Sequence, residues 1–254
     1  MAGLLYVVAT PIGNLKDITL RAAEVLREVD FVVAEDRQKA LKLLSHLDVR
    51  KPIITINGYN EERQARVIVG RLGSGKKAAL IAAAGTPCIS DPGDIVVREA
   101  CKAGIGVFAV PGPSAALAAL SVSGLSPARF LFYGFLPQKK GKKKKILREL
   151  LPGPFPVVLF ESPRRIAETL AAVKDEAPGR RIVVCRELTK LHEEIMRGRV
   201  EEVLEEATAD ETRGEYTIIV EGKGKQTDSQ FPQADEIHLI AHRPRRLRLE
   251  RRNL

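Results

Sequence analysis

The sequence predicts an α/β protein of two packed domains, and three observations carry that expectation. Apolar runs of strand length alternate with segments of helical period. The runs are apolar on both faces, as in a sheet covered by helices on each side. A second series of the same kind begins near residue 125. With 254 residues, 44% hydrophobic and 29% charged, the chain can bury a large core in one large domain or two of average size.

In the first series, "LLYVVA" (4–9) precedes Thr19, a helix N-cap, and "LRAAEVLREV". "FVVA" (31–34) precedes "RQKALKLLSHL", "PIITI" (52–56) precedes "EERQARVIVGRL", and "AALIAAA" (78–84) precedes "DIVVREACKAG". "GVFAV" (106–110) and "SAALAALSVSG" complete it, and the alternation indicates a mainly parallel sheet. The second series runs through "RFLFYGF", a lysine-rich helix, "PVVLFES" (156–162), "RRIAETLAAVKDEA", "RIVVCREL" (181–188), an acidic helix near 200–207 and "EYTIIVEG" (215–222). The expected division is 1–112, 113–222, and a basic, loosely ordered tail at 223–254, where periodicity stops. Two packed α/β domains leave a cleft between them, a usual home for small ligands.

The net charge of +9 is concentrated in "KKGKKKK" (139–145), with six lysines, and "RPRRLRLERR" (243–252), with six arginines. The remainder is close to charge balance, so the basicity is the footprint of local phosphate contact. The sequence contains no run of about 18 uncharged apolar residues, and its start lacks the basic, cleavable pattern of a leader, so a cytoplasmic protein is expected. Cys88, Cys101 and Cys185 are distant from one another and outside any Cys-x-x-Cys pair, which argues for small core residues and against disulfides or a metal site. Residues 70–77, "GRLGSGKK", imitate a phosphate loop but follow a helix and precede a strand, the reverse of the required order. They read as a helix stop and a turn.

Ligands of open α/β sheets bind at strand C-terminal ends. Four unusual loops are expected there: "ATPIGNLKD" (9–17), "AEDRQ" (34–38), "AGTPCISDPG" (84–93) and "VPGPSAA" (110–116). The three longer ones pair Pro with Gly, giving stiff turns that expose backbone groups at close range. No G-x-G-x-x-G follows a strand, so a ligand would be held mainly by loop backbone.

The motifs "LYVVATPIGNLKDITLRA", "AED", "AGTPCISDPG", "VPGPSAALAALSVSGL", "FLFYGFLP", "ESPRR" and "CRELTKLHEE" occur in this order. Together they resemble the tetrapyrrole methylase superfamily, in its ribosomal RNA small subunit methyltransferase I branch, over about residues 4–222. The resemblance implies two α/β domains, each a mixed sheet flanked by helices, with S-adenosylmethionine in the cleft between them. It also implies a homodimer and 2′-O-methylation of a cytidine in the decoding region of 16S rRNA. By matching motif positions, Pro11, Ile12, Gly85, Thr86, Ile89, Ser114, Ala115, Leu188 and Thr217 line the cofactor pocket. The branch usually carries Asp where this chain has Ala83, and the tail does not resemble the family's.

A ribose hydroxyl needs its proton accepted or its developing charge stabilised. The candidates are Glu35, with Asp36 beside it, Glu61, and Glu187 with Lys190 in "RELTK". The expected RNA contacts are Lys139, Lys140, Lys142, Lys143, Lys144, Lys145, Arg164 and Arg165, and Tyr59 and Tyr133 are the candidate base stackers. Two other readings stay open from sequence: a precorrin-type C-methyltransferase, and a noncatalytic RNA-binding protein on the same fold.

Overall fold

A computed structural model describes residues 3–125, 128–209 and 214–223. The first half runs β1 (Leu4–Val8), α1 (Leu20–Glu28), β2 (Phe31–Ala34), α2 (Arg37–His46), β3 (Ile53–Thr55), α3 (Glu61–Gly73), β4 (Lys77–Ile81), α4 (Asp94–Lys102), β5 (Gly106–Val110) and α5 (Ala115–Val122). The second runs β6 (Leu131–Phe135), α6 (Lys140–Leu150), β7 (Val157–Glu161), α7 (Ile166–Glu176), β8 (Arg181–Arg186), β9 (Glu194–Arg199), α8 (Val200–Ala209) and β10 (Tyr216–Val220). Strand order is β3-β2-β4-β1-β5 in the first sheet and β6-β7-β10-β8-β9 in the second. The first sheet is parallel throughout, and strand direction is mixed only in the second, where β6 and β7 are parallel and the remaining pairs antiparallel.

Alternating side chains of the first sheet enter two cores, which explains strands apolar on both faces. Val8, Val32, Ala34, Ala79 and Ile81 pack with Leu26 of α1 and Leu43 and Leu44 of α2. Leu5, Phe31, Val33, Ala78 and Leu80 pack with Ile68 and Leu72 of α3 and Val96 of α4. Each fully buried Leu or Ile here contributes about 1.5–3 kcal/mol. The second sheet packs one face on α6, α7 and α8 through Leu147, Leu170, Val203, Leu159 and Ile218, while α5 lies against β10.

This topology fixes where a ligand fits. Strand β1 lies beside β4, yet α1 and α4, which follow them, cover opposite faces of the sheet. The connections therefore diverge, opening a crevice outside the C-terminal ends of β1 and β4. Those ends carry two of the Pro/Gly loops, 9–17 and 84–93.

Local signals behave as read. The Thr19 hydroxyl accepts from the Ala22 N–H at 3.1 Å, and "GRLGSGKK" closes α3, Ser74 capping its end, before β4 begins. Two differences stand out. β9, "EIMRGR", has no counterpart in the sequence reading: it is a sheet edge that pairs with β8 alone among the described residues, and it buries one side chain, Met196, in a segment with three charged residues, so its apolar signal is weak. Cys101 is exposed on α4 and is no core residue, unlike the buried Cys185. The tail beyond Lys223, with its arginine cluster, lies outside the described residues.

Candidate active site

The loops are tied together before any ligand arrives. Thr10 N–H donates to the Gly85 carbonyl at 2.9 Å and Gly85 N–H to the Thr10 carbonyl at 3.0 Å, so the first and fourth loops form a two-residue bridge. Thr86 Oγ1 donates to the Pro113 carbonyl at 3.3 Å, adding the fifth loop. Within the 84–93 turn, Gly85, Cys88, Ser90 and Gly93 all have positive φ. Two non-glycine residues in that region store roughly 1–3 kcal/mol each, a pattern that clusters at ligand sites. Glu61 supports the turn from behind: it is buried and accepts from the N–H groups of Gly93 at 2.9 Å and Ile95 at 3.0 Å, capping α4. Glu61 is therefore a structural cap and no base.

A cleft of about 350 Å³ opens between these loops and the ends of β6, β7 and β10. Eight of the nine residues matched to the cofactor pocket line it: Ile12, Gly85, Thr86, Ile89, Ser114, Ala115, Leu188 and Thr217. Pro11 does not; it lines a second, smaller cavity of about 220 Å³ next door. The two share Ile12, Ala84 and Glu215 as a common wall. Ser114 is the N-cap of α5 but its hydroxyl makes no capping bond, so the first-turn N–H groups lack a side-chain cap among the described residues.

The second sheet supplies a wall that motif matching missed. Phe135 and Phe160 line the cleft with ring centroids 5.7 Å apart, and Phe135 is 52% exposed. Strand pairing places Tyr216 opposite Glu161 and Thr217 opposite Phe160, so the C-terminal end of β7 and the start of β10 reach the cleft together. In sequence, these residues look like ordinary strand hydrophobes. Gly134, with positive φ at a bulge in β6, lets Ser90 approach: a Cβ there would lie 2.5 Å from Ser90 Oγ.

Asp91 is the other missed residue. It lines the cleft, accepts no hydrogen bond among the described residues, and has its carboxyl pushed up to about 6, mainly by burial and then by Glu35, against a smaller opposing effect of Lys39. Glu35 itself is exposed at the end of β2 and lines neither cavity. Neighbouring Cys88 is no nucleophile, since burial and the carboxylates of Asp94 and Glu61 push its thiol up to about 11.

Lys190 and Glu187 form a fixed pair. Lys190 Nζ lies 2.7 Å from Glu187 Oε1 and 3.1 Å from Glu215 Oε2, and Glu215 N–H also donates to Glu187 Oε1 at 2.9 Å. Burial pulls the Lys190 ammonium down, but the two carboxylates outweigh it and hold the group above its ordinary value. For Glu187, burial pushes up, while Lys190 and the Glu215 N–H hold the carboxyl below its usual range. Glu187 is thus a poor base and an anchor for Lys190, which lines the smaller cavity with Glu215. This loop meets the first one directly: Asn14 N–H donates to Thr189 Oγ1 at 3.1 Å, and a Cβ on Gly13 would lie 2.5 Å from Lys190 Cγ.

The expected RNA contacts divide. Lys139, Lys140, Lys142, Lys145 and Arg164 are exposed. Lys143 is not: it is 1% exposed and donates to Glu168 Oε1 at 3.2 Å and Thr169 Oγ1 at 3.1 Å, so its ammonium is sequestered from any phosphate. The reason is helical period, which turns Lys143 and Leu147 inward on α6. Lys144 pairs with Asp175 at 3.2 Å. Arg165 donates to the Leu136 carbonyl at 2.6 Å and pairs with buried Glu161 at 3.3 Å, a structural role. Tyr133 packs on the second core, whereas Tyr59 is fully exposed.

The model of the family described as Tetrapyrrole (Corrin/Porphyrin) Methylases matches residues 4–204. The chain is 40% identical over 240 residues to "Ribosomal RNA small subunit methyltransferase I" of Halalkalibacterium halodurans, covering 94% of this chain and 83% of that one. It is 41% identical over 221 residues to the protein of that name in Thermotoga maritima, covering 87% of this chain and 99% of the relative. Among solved structures, a diphthine synthase superposes with a TM-score of 0.68 at 18% identity, over 87% of this chain and 90% of that one. The methyltransferase CobJ gives 0.67 at 18%, over 87% and 95%, and both share the fold. The chain belongs to the tetrapyrrole methylase family, in the branch whose members are named ribosomal RNA small subunit methyltransferase I.

Proposed function

We propose that this chain transfers a methyl group from S-adenosylmethionine to the 2′-hydroxyl of a cytidine ribose in the decoding region of 16S rRNA, acting in the cytoplasm on the small ribosomal subunit. The observation that carries the reading is the convergence of eight motif-matched residues on one cleft at the switch point of the first sheet. The printed names of the relatives favour an RNA acceptor over a corrinoid one.

The lining suits the donor. Ile12, Ile89, Leu188 and Phe135 offer apolar walls to an adenosine, Thr217 a hydroxyl, and the α5 N–H groups a seat for a carboxylate. When bound, the donor supplies an electrophilic sulfonium methyl. The chain's own task is alignment, worth roughly 7–11 kcal/mol when the geometry is good. Asp91 accepts the proton of the ribose hydroxyl; its carboxyl, held near 6, is ionised at neutral pH yet basic enough for the task. Lys190, fixed as a cation by Glu187 and Glu215, stabilises the forming alkoxide. Glu35 acts on Asp91 and stays off the substrate.

The same reading includes a homodimer. α5 carries no charged residue, and its Leu117 and Val122 stand 57% and 40% exposed, apolar surface suited to a second copy. Light scattering should give twice the chain mass, and Leu117→Glu with Val122→Glu should halve it; a wild-type monomer counts against the dimer alone. For the reaction, calorimetry with S-adenosylmethionine should show one site per chain, and tritium from labelled donor should appear on a cytidine ribose of small subunits. Donor binding without transfer to those subunits would overturn the assignment.

A further inference from the structure

We propose that the 220 Å³ cavity is the acceptor subsite, taking one nucleotide of an RNA strand with its phosphates on Lys39 and Lys42. The inference rests on reading the larger cleft as the donor site.

Adjacency comes first. The two cavities share Ile12, Ala84 and Glu215 in their linings, so they abut along a common edge. In-line transfer needs reacting atoms roughly 3–3.5 Å apart, and only an abutting pocket delivers that. The chemistry of the lining follows. Pro11, Leu15, Leu43 and the Ala82–Ala84 backbone make a small, largely apolar floor with room for one nucleoside. Lys39, Lys42 and Lys190 supply cations around it, with Glu215 the one acidic residue in the lining.

Those cations differ in availability. Lys190 is held by Glu187 and Glu215. Lys39 and Lys42 are exposed, three residues apart on one face of α2, and neither forms a salt bridge among the described residues. Asp36, the N-cap of α2, spends its carboxylate on the N–H groups of Gln38 and Lys39, leaving the ammonium of Lys39 open. The acidic groups that reach Lys39 through space are Asp36 and Asp91, and Asp91 is the assigned base. A nucleotide seated here would have its phosphates at α2 and its ribose at the edge shared with the cleft that Asp91 lines. By contrast, the α6 run keeps Lys143 in the core and Lys144 in an ion pair, so it is an outer contact.

The test is filter binding of purified small ribosomal subunits lacking the modification, over a salt series, with Lys39→Gln/Lys42→Gln and wild type. Both sites are exposed, so thermal unfolding should be unchanged. Affinity should fall about tenfold at low salt, and the slope of log K against log salt should become shallower by about 1.4, for two single-strand phosphates. Donor affinity by calorimetry should not move. Unchanged subunit affinity and slope, with normal donor binding, would overturn the subsite and leave the cleft reading intact. Failure of the wild type to bind donor would overturn both.

Discussion

Replacing Asp91 by Asn tests the assignment of the base through two independent observables. Burial and Glu35 raise the carboxyl from an ordinary 3.8 to about 6. Between those values the folded chain keeps a proton that the unfolded chain has released, so stability declines as pH rises through that window and stays reduced above it. Asn carries no charge and removes the penalty. Discounted for the solvent that still reaches this half-buried group, the gain at pH 7.5 is about 1 kcal/mol, or about 2–4 °C in Tm, and near zero at pH 4. Activity should move the other way. In wild type, kcat/KM should fall tenfold per unit below about pH 6. Asp91→Asn should lower kcat by about 10²–10⁴-fold at pH 7.5 and abolish that limb. Thermal unfolding at the two pH values and tritium transfer across pH 5–8 read both. A variant less stable than wild type at pH 7.5, or one that keeps the acid limb, would refute the reasoning.

Gly85→Val should weaken donor binding at least tenfold while the chain stays folded, because φ is +78° and a Cβ there already lies 3.4 Å from Ile12 Cγ2; calorimetric affinity within twofold of wild type would contradict this. Lys143→Ala should cost about 2–5 kcal/mol in denaturant unfolding, since it empties a buried site and takes a partner from Thr169 and Glu168, whereas Lys143→Met should be far milder and bind subunits like wild type. Weak subunit binding by a stably folded Met variant would return Lys143 to the RNA contacts. Lys190→Gln should reduce kcat by about 10²-fold with donor affinity unchanged in calorimetry. Replacing Lys139, Lys140, Lys142 and Lys145 by Gln should flatten the salt slope of subunit binding by about 0.7 for each single-strand phosphate left without its cation.

The parallel sheet and the loops at its edge are legible because both are local signals: apolar runs, helical period, and Pro with Gly at strand ends. Motif matching reaches eight cleft residues for the same reason. What it misses depends on pairing between distant strands. Phe135, Phe160 and Tyr216 become a cleft wall only once β6, β7 and β10 lie side by side. Asp91 sits in plain view in "SDPG", but its basicity comes from burial and from Glu35 at the end of another strand. Lys143 shows the converse error, since a charge run reads as uniformly exposed although the helix turns one of its members toward the core. Glu61 misleads in the same way; its task is to cap a helix 32 residues away in sequence.

The central claim is that the loops after β1, β4 and β5 and the second sheet together hold a sulfonium methyl donor. A crystal structure of the chain soaked with S-adenosylmethionine tests it most directly. Density is expected in the cleft lined by Gly85, Ser114, Leu188 and Thr217, with the methyl turned toward Asp91 and the neighbouring cavity. Donor seated anywhere else, or turned with its methyl away from that cavity, would contradict it.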